Sequence, residues 1–430
     1  MIGYNEAMNY LLAYGRGTIS VDLPEKNVVK VLNIQSAAVL PQPIEEVRRK
    51  LKTPNGSKPL AEIAAGKKSA CIVICDITRP VPNQIVLPPI LQTLENAGIA
   101  DQEIVILVAT GLHRASTTEE KLEMLGKNIV NRYRIEDHNA RNRDEHDYLG
   151  ESQHGVPIWI DRRYLNADVK ILTGLIEPHF MAGFSGGRKS ICPGIAAAET
   201  IGPWHSPRFL EHDNARFGCI ENNPVHEEQL EIAIKSGCDF IVNVVIDHHR
   251  DILAVVAGDM DQAHREGVGI ARQFVTDTVE KPVDVVITSA AGYPLDKTWY
   301  QSIKGIIGAV EILKPGGTII LAAACDEGLG SKEFEEIANR FPTIESFINA
   351  ILANQFFVVD QWQIEELAKA LRKGKVKVVS DGLPPEVFRK YYVTPSSTVE
   401  QAVAEAIAEY GQHTTIAVMP DGPYVLAEIK

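Results

Sequence analysis

The sequence predicts an α/β protein with two layered domains, each built on a mostly parallel sheet. Apolar runs at 70–75, 104–108 and 169–176 have the length and composition of buried strands. Segments with the apolar period of a helix alternate with such runs along the chain, which is the pattern of a layered α/β fold. At 430 residues the chain is also long for a single hydrophobic core.

We place the domain boundary near residue 275, because a second series of strands and helices begins at Pro282. Residues 1–275 form the predicted N-terminal α/β domain, and residues 276–430 form the C-terminal one. The last strand, about 414–430, is a candidate to pack back on the N-terminal domain. Ligands of open α/β sheets bind outside the carboxyl ends of the strands, so two such domains predict an active-site cleft between them.

Each element follows from a local pattern. The predicted strands cover 18–23, 27–32, 70–75, 104–108, 169–176, 283–288, 318–324, 376–380 and 415–419. The predicted helices cover 44–51, 83–97, 259–273, 298–313, 331–340, 344–353 and 362–373, with a further one beginning near 117. Thr117 is expected to cap its helix, and Gly316-Gly317 is expected to end the helix that begins at Thr298.

Composition narrows the class of protein. The 56 acidic residues exceed the 43 basic ones and give a net charge of −13, which argues against nucleic acid as a partner. The apolar runs are too short to cross a membrane, and the first residues lack the form of a signal peptide. The six cysteines are scattered without zinc-finger spacing. We therefore expect a cytoplasmic protein without a disulfide framework.

The stretch 178–190, Pro-His-Phe-Met-Ala-Gly-Phe-Ser-Gly-Gly-Arg-Lys-Ser, carries the strongest chemical signal. It directly follows a predicted buried strand, and its glycines allow the main chain to approach a ligand closely. Consecutive backbone N–H groups before a helix predict an anion site. The simpler interpretation is a glycine turn with surface charges. The stretch fails the P-loop pattern, because Arg188 stands where glycine must precede the lysine.

Other polar residues also follow predicted strands. Asp76 and Arg79 come after the strand at 70–75, His113 after the strand at 104–108, and His179 after the strand at 169–176. Arg79 suits a carboxylate or phosphate, although an ion pair with Asp76 is an equal alternative. Two histidines in equivalent positions can act as base on one face of a substrate and acid on the other. A racemase or epimerase needs that arrangement.

Five ordered blocks of sequence together resemble the lactate racemase family, the 2-hydroxyacid racemases and epimerases that depend on a nickel-pincer nucleotide. The matching blocks are Asp76-Ile-Thr-Arg79-Pro, Thr110-Gly-Leu-His113, Pro178-His179-Phe-Met-Ala-Gly-Phe-Ser-Gly-Gly-Arg-Lys189, Trp204-His205 and Tyr300-Gln301-Ser-Ile-Lys304. They run from about residue 70 to residue 305.

The resemblance implies an isomerase that inverts C2 of a 2-hydroxy acid, lactate or a related 2-hydroxycarboxylate, by proton-coupled hydride transfer. It implies a nickel-pincer nucleotide, a mononucleotide whose two sulfur-bearing arms and one ring carbon hold nickel. By similarity, His113 and His179 are the catalytic acid and base, and His205 is the nickel ligand. The implied substrate-binding residues are Arg79, Tyr300, Gln301 and Lys304. The implied cofactor-binding residues are Asp76, Gly186, Gly187, Arg188 and Lys189, the last as a thioamide tether.

The resemblance further implies a small-molecule substrate and transient contact with the enzymes that build the cofactor. Two alternatives remain at this point. One is a phosphate- or nucleotide-binding α/β enzyme that uses the Gly-Gly-Arg-Lys loop. The other is a non-catalytic carrier of the cofactor, which would need Lys189 and His205 but not both His113 and His179.

Overall fold

The computed structural model describes residues 7–247 and 249–430. These residues form two compact units. The N-terminal unit comprises residues 36–273, and the C-terminal unit comprises the first described residues, up to 35, together with 274–430. The α/β class with mostly parallel sheets is confirmed.

The predicted division into 1–275 and 276–430 is corrected by this structure at its N-terminal end. The boundary near 275 is close to the observed one, but residues before 36 belong with the C-terminal unit. The strand at Val28–Val31 explains this, because it pairs in parallel with the strand at Ile416–Met419. The chain therefore contributes its first strands to the C-terminal unit, then forms the whole N-terminal unit, and completes the C-terminal unit last. The strands near the C-terminus, Ile416–Met419 and Leu426–Ile429, belong to the C-terminal unit.

The strands of the described residues are numbered in chain order. They are β1 Ala7–Tyr14, β2 Gly17–Pro24, β3 Val28–Val31, β4 Ala70–Cys75, β5 Ile104–Ala109, β6 Arg134–Asp137, β7 His146–Glu151, β8 Pro157–Asp161, β9 Val169–Leu175, β10 Pro178–His179, β11 Gly183–Phe184, β12 Phe240–Ile246, β13 Ile252–Gly258, β14 Thr276–Val279, β15 Val283–Ser289, β16 Leu313–Ala322, β17 Lys375–Val379, β18 Thr394–Pro395, β19 Ile416–Met419 and β20 Leu426–Ile429.

The α-helices are numbered in the same way. They are α1 Pro43–Lys52, α2 Leu60–Ala64, α3 Asn83–Asn96, α4 Thr118–Val130, α5 Arg162–Leu165, α6 Ala198–Trp204, α7 Pro207–Leu210, α8 Pro224–Ser236, α9 Gln262–Val275, α10 Trp299–Ala309, α11 Lys332–Arg340, α12 Ile344–Leu352, α13 Gln361–Lys373, α14 Pro385–Lys390 and α15 Val399–Tyr410.

The N-terminal unit contains a six-stranded sheet in the order β13-β12-β9-β4-β5-β6. All its neighbouring pairs are parallel except β12 with β13. Ile72, Ile74, Ile106 and Ile171 from its central strands are fully buried in one large apolar core with the helices. Strands buried on both faces read as continuous apolar runs, which is why the sequence revealed β4, β5 and β9.

The C-terminal unit contains a second six-stranded sheet, entirely parallel, in the order β18-β17-β16-β15-β19-β3. Its strands pack against α15 through a separate core that includes Val285, Ile287 and Val403. The antiparallel β1–β2 hairpin contributes Leu12 and Leu23 to the same core.

Most helix boundaries agree with the sequence prediction, and one is wrong. Thr117 caps α4 with a complete capping box, as predicted. The helix expected to end at Gly316-Gly317 ends instead at Ala309, and both glycines lie within β16. Ile312 and Leu313, which lie between Ala309 and the two glycines, are buried and suit either a helix or a strand. The spacing of apolar residues alone could therefore not show where the helix ends and β16 begins. Among the described residues, no helix is long and apolar enough to span a membrane.

Candidate active site

The candidate site of the N-terminal unit lies where three adjacent strands end. β4 lies between β9 and β5 in the sheet, and all three are parallel. Asp76 and Arg79 follow β4, His113 follows β5, and His179 follows β9. The prediction that these side chains leave neighbouring strands at one edge of a sheet is confirmed for this unit.

His113 and Asp76 form a hydrogen-bonded pair. Nδ1 of His113 lies 2.6 Å from Oδ2 of Asp76. A carboxylate only accepts, so Nδ1 donates and the neutral ring carries its lone pair on Nε2. The Asp76 side chain is 9 % exposed and that of His113 54 %. The buried carboxylate therefore orients a ring whose remainder reaches solvent.

The carboxylate of Asp76 is held in its ionised form. Its Oδ1 accepts from the backbone and the hydroxyl of Thr78, at 3.2 and 2.5 Å. Burial alone would raise the pKa of Asp76, but the hydrogen bonds from His113 and Thr78, with the charge of Arg79, lower it below its usual value.

His179 has the opposite hydrogen-bond arrangement. Its Nδ1 accepts from the backbone N–H groups of Met181 and Ala182, at 3.3 and 3.2 Å. The proton of the neutral ring therefore lies on Nε2. The ring is buried and stacks on Phe180 with centroids 4.7 Å apart. Both features fix the orientation of the imidazole.

Arg79 forms an ion pair with Glu177, the second residue after β9. The alternative of a local pair with Asp76 is therefore not the main contact, although Arg79 still lowers the pKa of Asp76. Both partners are partly buried, at 25 % and 16 % side-chain exposure. A guanidinium fixed in this way by Glu177 is suited to a second carboxylate.

The glycine loop is built differently from the predicted anion site. A 3₁₀ helix at Gly187–Ser190 follows Gly186, which has a φ of +86°. The N–H of Gly187 donates to Oδ1 of Asn243 at 2.8 Å, so a side chain from β12 satisfies the group expected to meet a ligand. The N–H of Gly187 is therefore not available to an anion.

Arg188 faces into the protein. Its side chain is 1 % exposed and donates to Nδ1 of His226 and Nδ1 of His264, both at 2.8 Å. Nε2 of His264 in turn donates to the carbonyl of Ser185 at 2.9 Å. These contacts of the guanidinium hold the loop in place, and the implied cofactor-binding role of Arg188 stays a prediction.

Electrostatics explains how a buried arginine can be held by two histidines. Burial lowers the pKa of Arg188 to about 10, so the group stays charged at neutral pH. Burial and the charge of Arg188 lower the pKa of His226 to about 3 and that of His264 well below its usual value. Both rings are therefore neutral acceptors.

His205 has the features of a metal ligand. It directly follows α6, and its Nδ1 donates to the carbonyl of Ile201 at 3.0 Å, which leaves the lone pair on Nε2. Burial, with a smaller effect of the Lys189 charge, lowers the pKa of His205 to about 3. A buried, neutral imidazole whose other nitrogen donates to a backbone carbonyl is typical of metal coordination.

The remaining predicted residues lie in the first turns of α10, in the C-terminal unit. Thr298 caps this helix by accepting from the N–H of Gln301 at 3.3 Å. Nζ of Lys304 donates to Oε1 of Gln301 at 2.5 Å. The Tyr300 hydroxyl accepts from Nε1 of Trp362 at 3.0 Å, and burial raises its pKa well above the usual value. A helix N-terminus with a lysine and an amide favours an anion.

Comparison with known proteins decides the family. Residues 14–218 match the family model described as the lactate racemase N-terminal domain, and residues 278–427 match the one described as the lactate racemase C-terminal domain. The chain belongs to the lactate racemase family. It is therefore an isomerase, as the resemblance implied.

Two curated relatives support this over the full length. The lactate racemase of Thermoanaerobacterium thermosaccharolyticum is 35 % identical over 426 residues, which cover 98 % of this chain and all of that protein. The lactate racemase of Lactiplantibacillus plantarum is 35 % identical over 424 residues, covering 97 % and 99 %.

Solved structures give the same result for the fold. The lactate racemase apoprotein of T. thermosaccharolyticum superposes with a TM-score of 0.92 at 35 % identity, covering 98 % of this chain and all of that one. A Thermotoga maritima protein superposes with a TM-score of 0.70 at 17 % identity, covering 91 % and 100 %, and shares the fold alone.

Sequence reasoning missed several residues that shape the site of this family member. Glu177 pairs with Arg79, Asn243 holds Gly187, and His226 and His264 hold Arg188. Glu177 stands one residue before the Pro178 block and could have been found as a carboxylate at a strand end. The other three lie more than 30 residues from their partners, so no local pattern could have indicated them.

Proposed function

We propose that this protein inverts C2 of a 2-hydroxy acid, with lactate as the first candidate because both curated relatives are named lactate racemase. The observation that carries the proposal is the opposite hydrogen bonding of the two histidines. Nδ1 of His113 donates to Asp76, whereas Nδ1 of His179 accepts from two backbone N–H groups. In the neutral rings, Nε2 is therefore a base in His113 and an acid in His179.

These ring states suit a reaction that inverts a carbinol carbon. One histidine would take the proton of the substrate hydroxyl at Nε2. The other would return a proton to the oxygen after hydrogen has been added to the opposite face of C2. Asp76 would stabilise the imidazolium that forms on His113 through the 2.6 Å hydrogen bond. The reverse reaction uses the same two groups with their roles exchanged.

The substrate carboxylate would be bound by Arg79, Gln301 and Lys304, with Tyr300 beside them. Arg79 already holds one carboxylate, that of Glu177, and guanidinium groups bind carboxylates through two parallel hydrogen bonds. Gln301 and Lys304 share the first turns of α10, where the helix dipole adds a positive field.

The residues fit a nickel-pincer nucleotide. His205 offers a lone pair on Nε2 from a buried neutral ring, and the charge of Lys189 acts on that ring. We assign His205 as the nickel ligand and Lys189 as the tether, with Asp76 and the backbone of Gly186, Gly187 and Arg188 alongside. When bound, the group would supply reversible acceptance of the C2 hydrogen as hydride.

The cofactor assignment can be tested without an activity assay. Protein co-produced with the cofactor-building enzymes should show an intact mass increased by the nucleotide, and Lys189→Arg should remove the increase. His205→Gln should keep the added mass but lose most of the nickel. A mass increase that persists in the lysine variant would refute the tether.

We place the reaction in the cytoplasm, where the enzymes that build the cofactor would contact this protein transiently. All six cysteines are free, which suits a reducing compartment.

The function itself is tested by chiral chromatography of purified, cofactor-loaded protein against a panel of 2-hydroxy acids. We expect at least one acid, with lactate as the first candidate, to be converted to its C2 epimer, whichever of the two epimers is supplied. Lack of turnover across the panel, with nickel and nucleotide mass both present, would favour a carrier of the cofactor and contradict the proposal.

A further inference from the structure

A second group of potential metal ligands lies in the N-terminal unit, apart from His205. His138 follows β6, His146 begins β7, and Asp161 ends β8. We name these three residues the His-His-Asp cluster. One ligand atom of each side chain lies within 4.8 Å of the other two, and all three residues are at most 2 % exposed.

The hydrogen bonds of the two histidines determine where their protons lie. Nε2 of His138 is 3.0 Å from the carbonyl oxygen of Ala196, and Nδ1 of His146 is 2.9 Å from that of Asn142. Carbonyl oxygens only accept, so both of these nitrogens donate. A ligating histidine commonly donates its other N–H to a backbone carbonyl in this way.

The second nitrogen of each ring is left without a normal partner when the ring is neutral. Nδ1 of His138 would direct a lone pair at Oδ2 of Asp161, 3.1 Å away, so that two acceptors face each other. Nε2 of His146 is buried and has no hydrogen-bond partner at all. Protonation of His138 would satisfy the first contact but not the second. A bound cation would satisfy both.

The charge around the cluster permits a divalent ion. Arg163 contacts Asp161 at 2.6 Å, Glu145 at 3.2 Å and Glu136 at 3.5 Å. Arg134 also contacts Glu136, at 2.8 Å, so two positive groups serve three carboxylates and this set has an excess of one negative charge. An added divalent cation would therefore leave a net charge of one rather than of two.

We propose that the His-His-Asp cluster binds one Zn²⁺ ion as a structural site, through Nδ1 of His138, Nε2 of His146 and Oδ2 of Asp161. Two imidazole nitrogens and one carboxylate oxygen are ordinary zinc ligands. These three ligands leave the fourth tetrahedral position for a water molecule, and the burial of the cluster favours a structural role over a catalytic one.

The position of the cluster gives the ion a role in the architecture of the unit. His146 and Asp161 are directly paired across the β7–β8 hairpin. The backbone N–H of His138 donates to the carbonyl of Val108 in β5. The carbonyl of His138 accepts from the hydroxyl of Thr110, which stands three residues before His113. The ion would therefore tie the hairpin to the segment that leads into the His113 loop.

The test uses wild-type protein produced without the cofactor-building enzymes, so that nickel at His205 plays no part. We expect elemental analysis to find about one zinc per chain, and a strong chelator to lower the Tm by about 5–10 °C, reversibly on zinc addition. His146→Gln should contain no zinc and show a Tm that chelator does not change. The exposed His212→Gln is the matched control and should retain the zinc and the chelator-sensitive Tm of the wild type.

Two outcomes would overturn the proposal. One is wild-type protein that neither retains zinc nor shows a zinc-dependent Tm. The other is zinc that persists in His146→Gln but disappears in His154→Gln, which would assign it to the separate group of His154, Glu228 and Glu231. If His146→Gln does not fold, Co²⁺ added to chelator-treated wild type keeps the test open. Visible bands of a low-coordinate nitrogen–oxygen site support the proposal, and a spectrum of aqueous cobalt contradicts it.

Discussion

Nδ1 of His113 donates to Oδ2 of Asp76 across 2.6 Å, from the end of one strand to the end of its neighbour. The carboxylate is buried and the imidazole is half exposed. Because Asp76 follows β4 and His113 follows β5, the pairing of these two strands fixes the orientation of the His113 ring, the proposed base. A change at Asp76 should therefore affect both catalysis and stability, in ways that can be separated.

For catalysis, Asp76→Asn should lower kcat for racemisation by about 10²–10⁴-fold with little change in KM. The asparagine keeps the shape of the side chain but no longer selects the ring state or stabilises the imidazolium. Steady-state kinetics at equal cofactor occupancy would measure the effect. A rise in KM with unchanged kcat would instead indicate that Asp76 acts only in binding.

For stability, the same variant should lower the free energy of unfolding by about 1.5–3 kcal/mol at pH 7. The pKa of Asp76 is lowered in the folded protein, so its contribution is present above the unfolded pKa of about 4 and is lost as the pH falls further. The free energies of unfolding of wild type and variant, measured by denaturant titration, should therefore converge as the pH falls below about 4. A difference that is constant down to pH 2 would contradict this.

His226 should make the protein sensitive to acid. Its pKa is about 3 in the folded protein and about 6.5 unfolded, so below pH 6.5 only the unfolded chain takes up this proton. The free energy of unfolding should then fall by about 1.4 kcal/mol per pH unit for this group until the pH nears 3. His226→Gln keeps an acceptor for Arg188. Its free energy of unfolding should fall less steeply with decreasing pH, by the slope that corresponds to one proton. Parallel curves would refute the assignment.

Gly183 should be one of the least replaceable residues in the glycine loop. It has a φ of +75°, and a Cβ there would lie 2.1 Å from the carbonyl oxygen of Cys219. Gly183→Ala should lower the free energy of unfolding by at least about 1–3 kcal/mol through backbone strain alone. Gly269→Ala is the matched control: this glycine lies in α9 with open space around its Cα, so alanine should stabilise by about 0.5–1 kcal/mol. Equal effects would contradict the packing argument.

The sequence was sufficient for the sheet that carries the proposed histidines, because β4, β5 and β9 are buried on both faces and read as apolar runs. It was insufficient for the first residues, up to 35, which belong with the C-terminal unit. Val28 pairs with Ile416, and no local property of either residue indicates a partner almost 400 positions away. Pairing of this kind is decided by the whole sheet rather than by a window of sequence.

The site shows the same limit at the level of side chains. Arg188 and Lys189 are adjacent basic residues, and the family resemblance implied a cofactor-binding role for both. Arg188 is instead buried, because His226 and His264 supply two neutral acceptors from distant helices. His205 could be proposed as a ligand from sequence similarity, but the hydrogen bond that leaves its Nε2 with a lone pair depends on the C-terminal turn of α6.

The most direct test of the two-histidine mechanism is the rate of racemisation by His113→Ala and His179→Ala, measured by chiral chromatography from each enantiomer of lactate. Both variants should be loaded to the nickel and nucleotide content of the wild type and should retain its Tm. In the proposed mechanism each histidine serves one face and the two roles exchange on reversal, so we predict that either change abolishes conversion in both directions. Near-normal racemisation by either loaded, folded variant would contradict the mechanism.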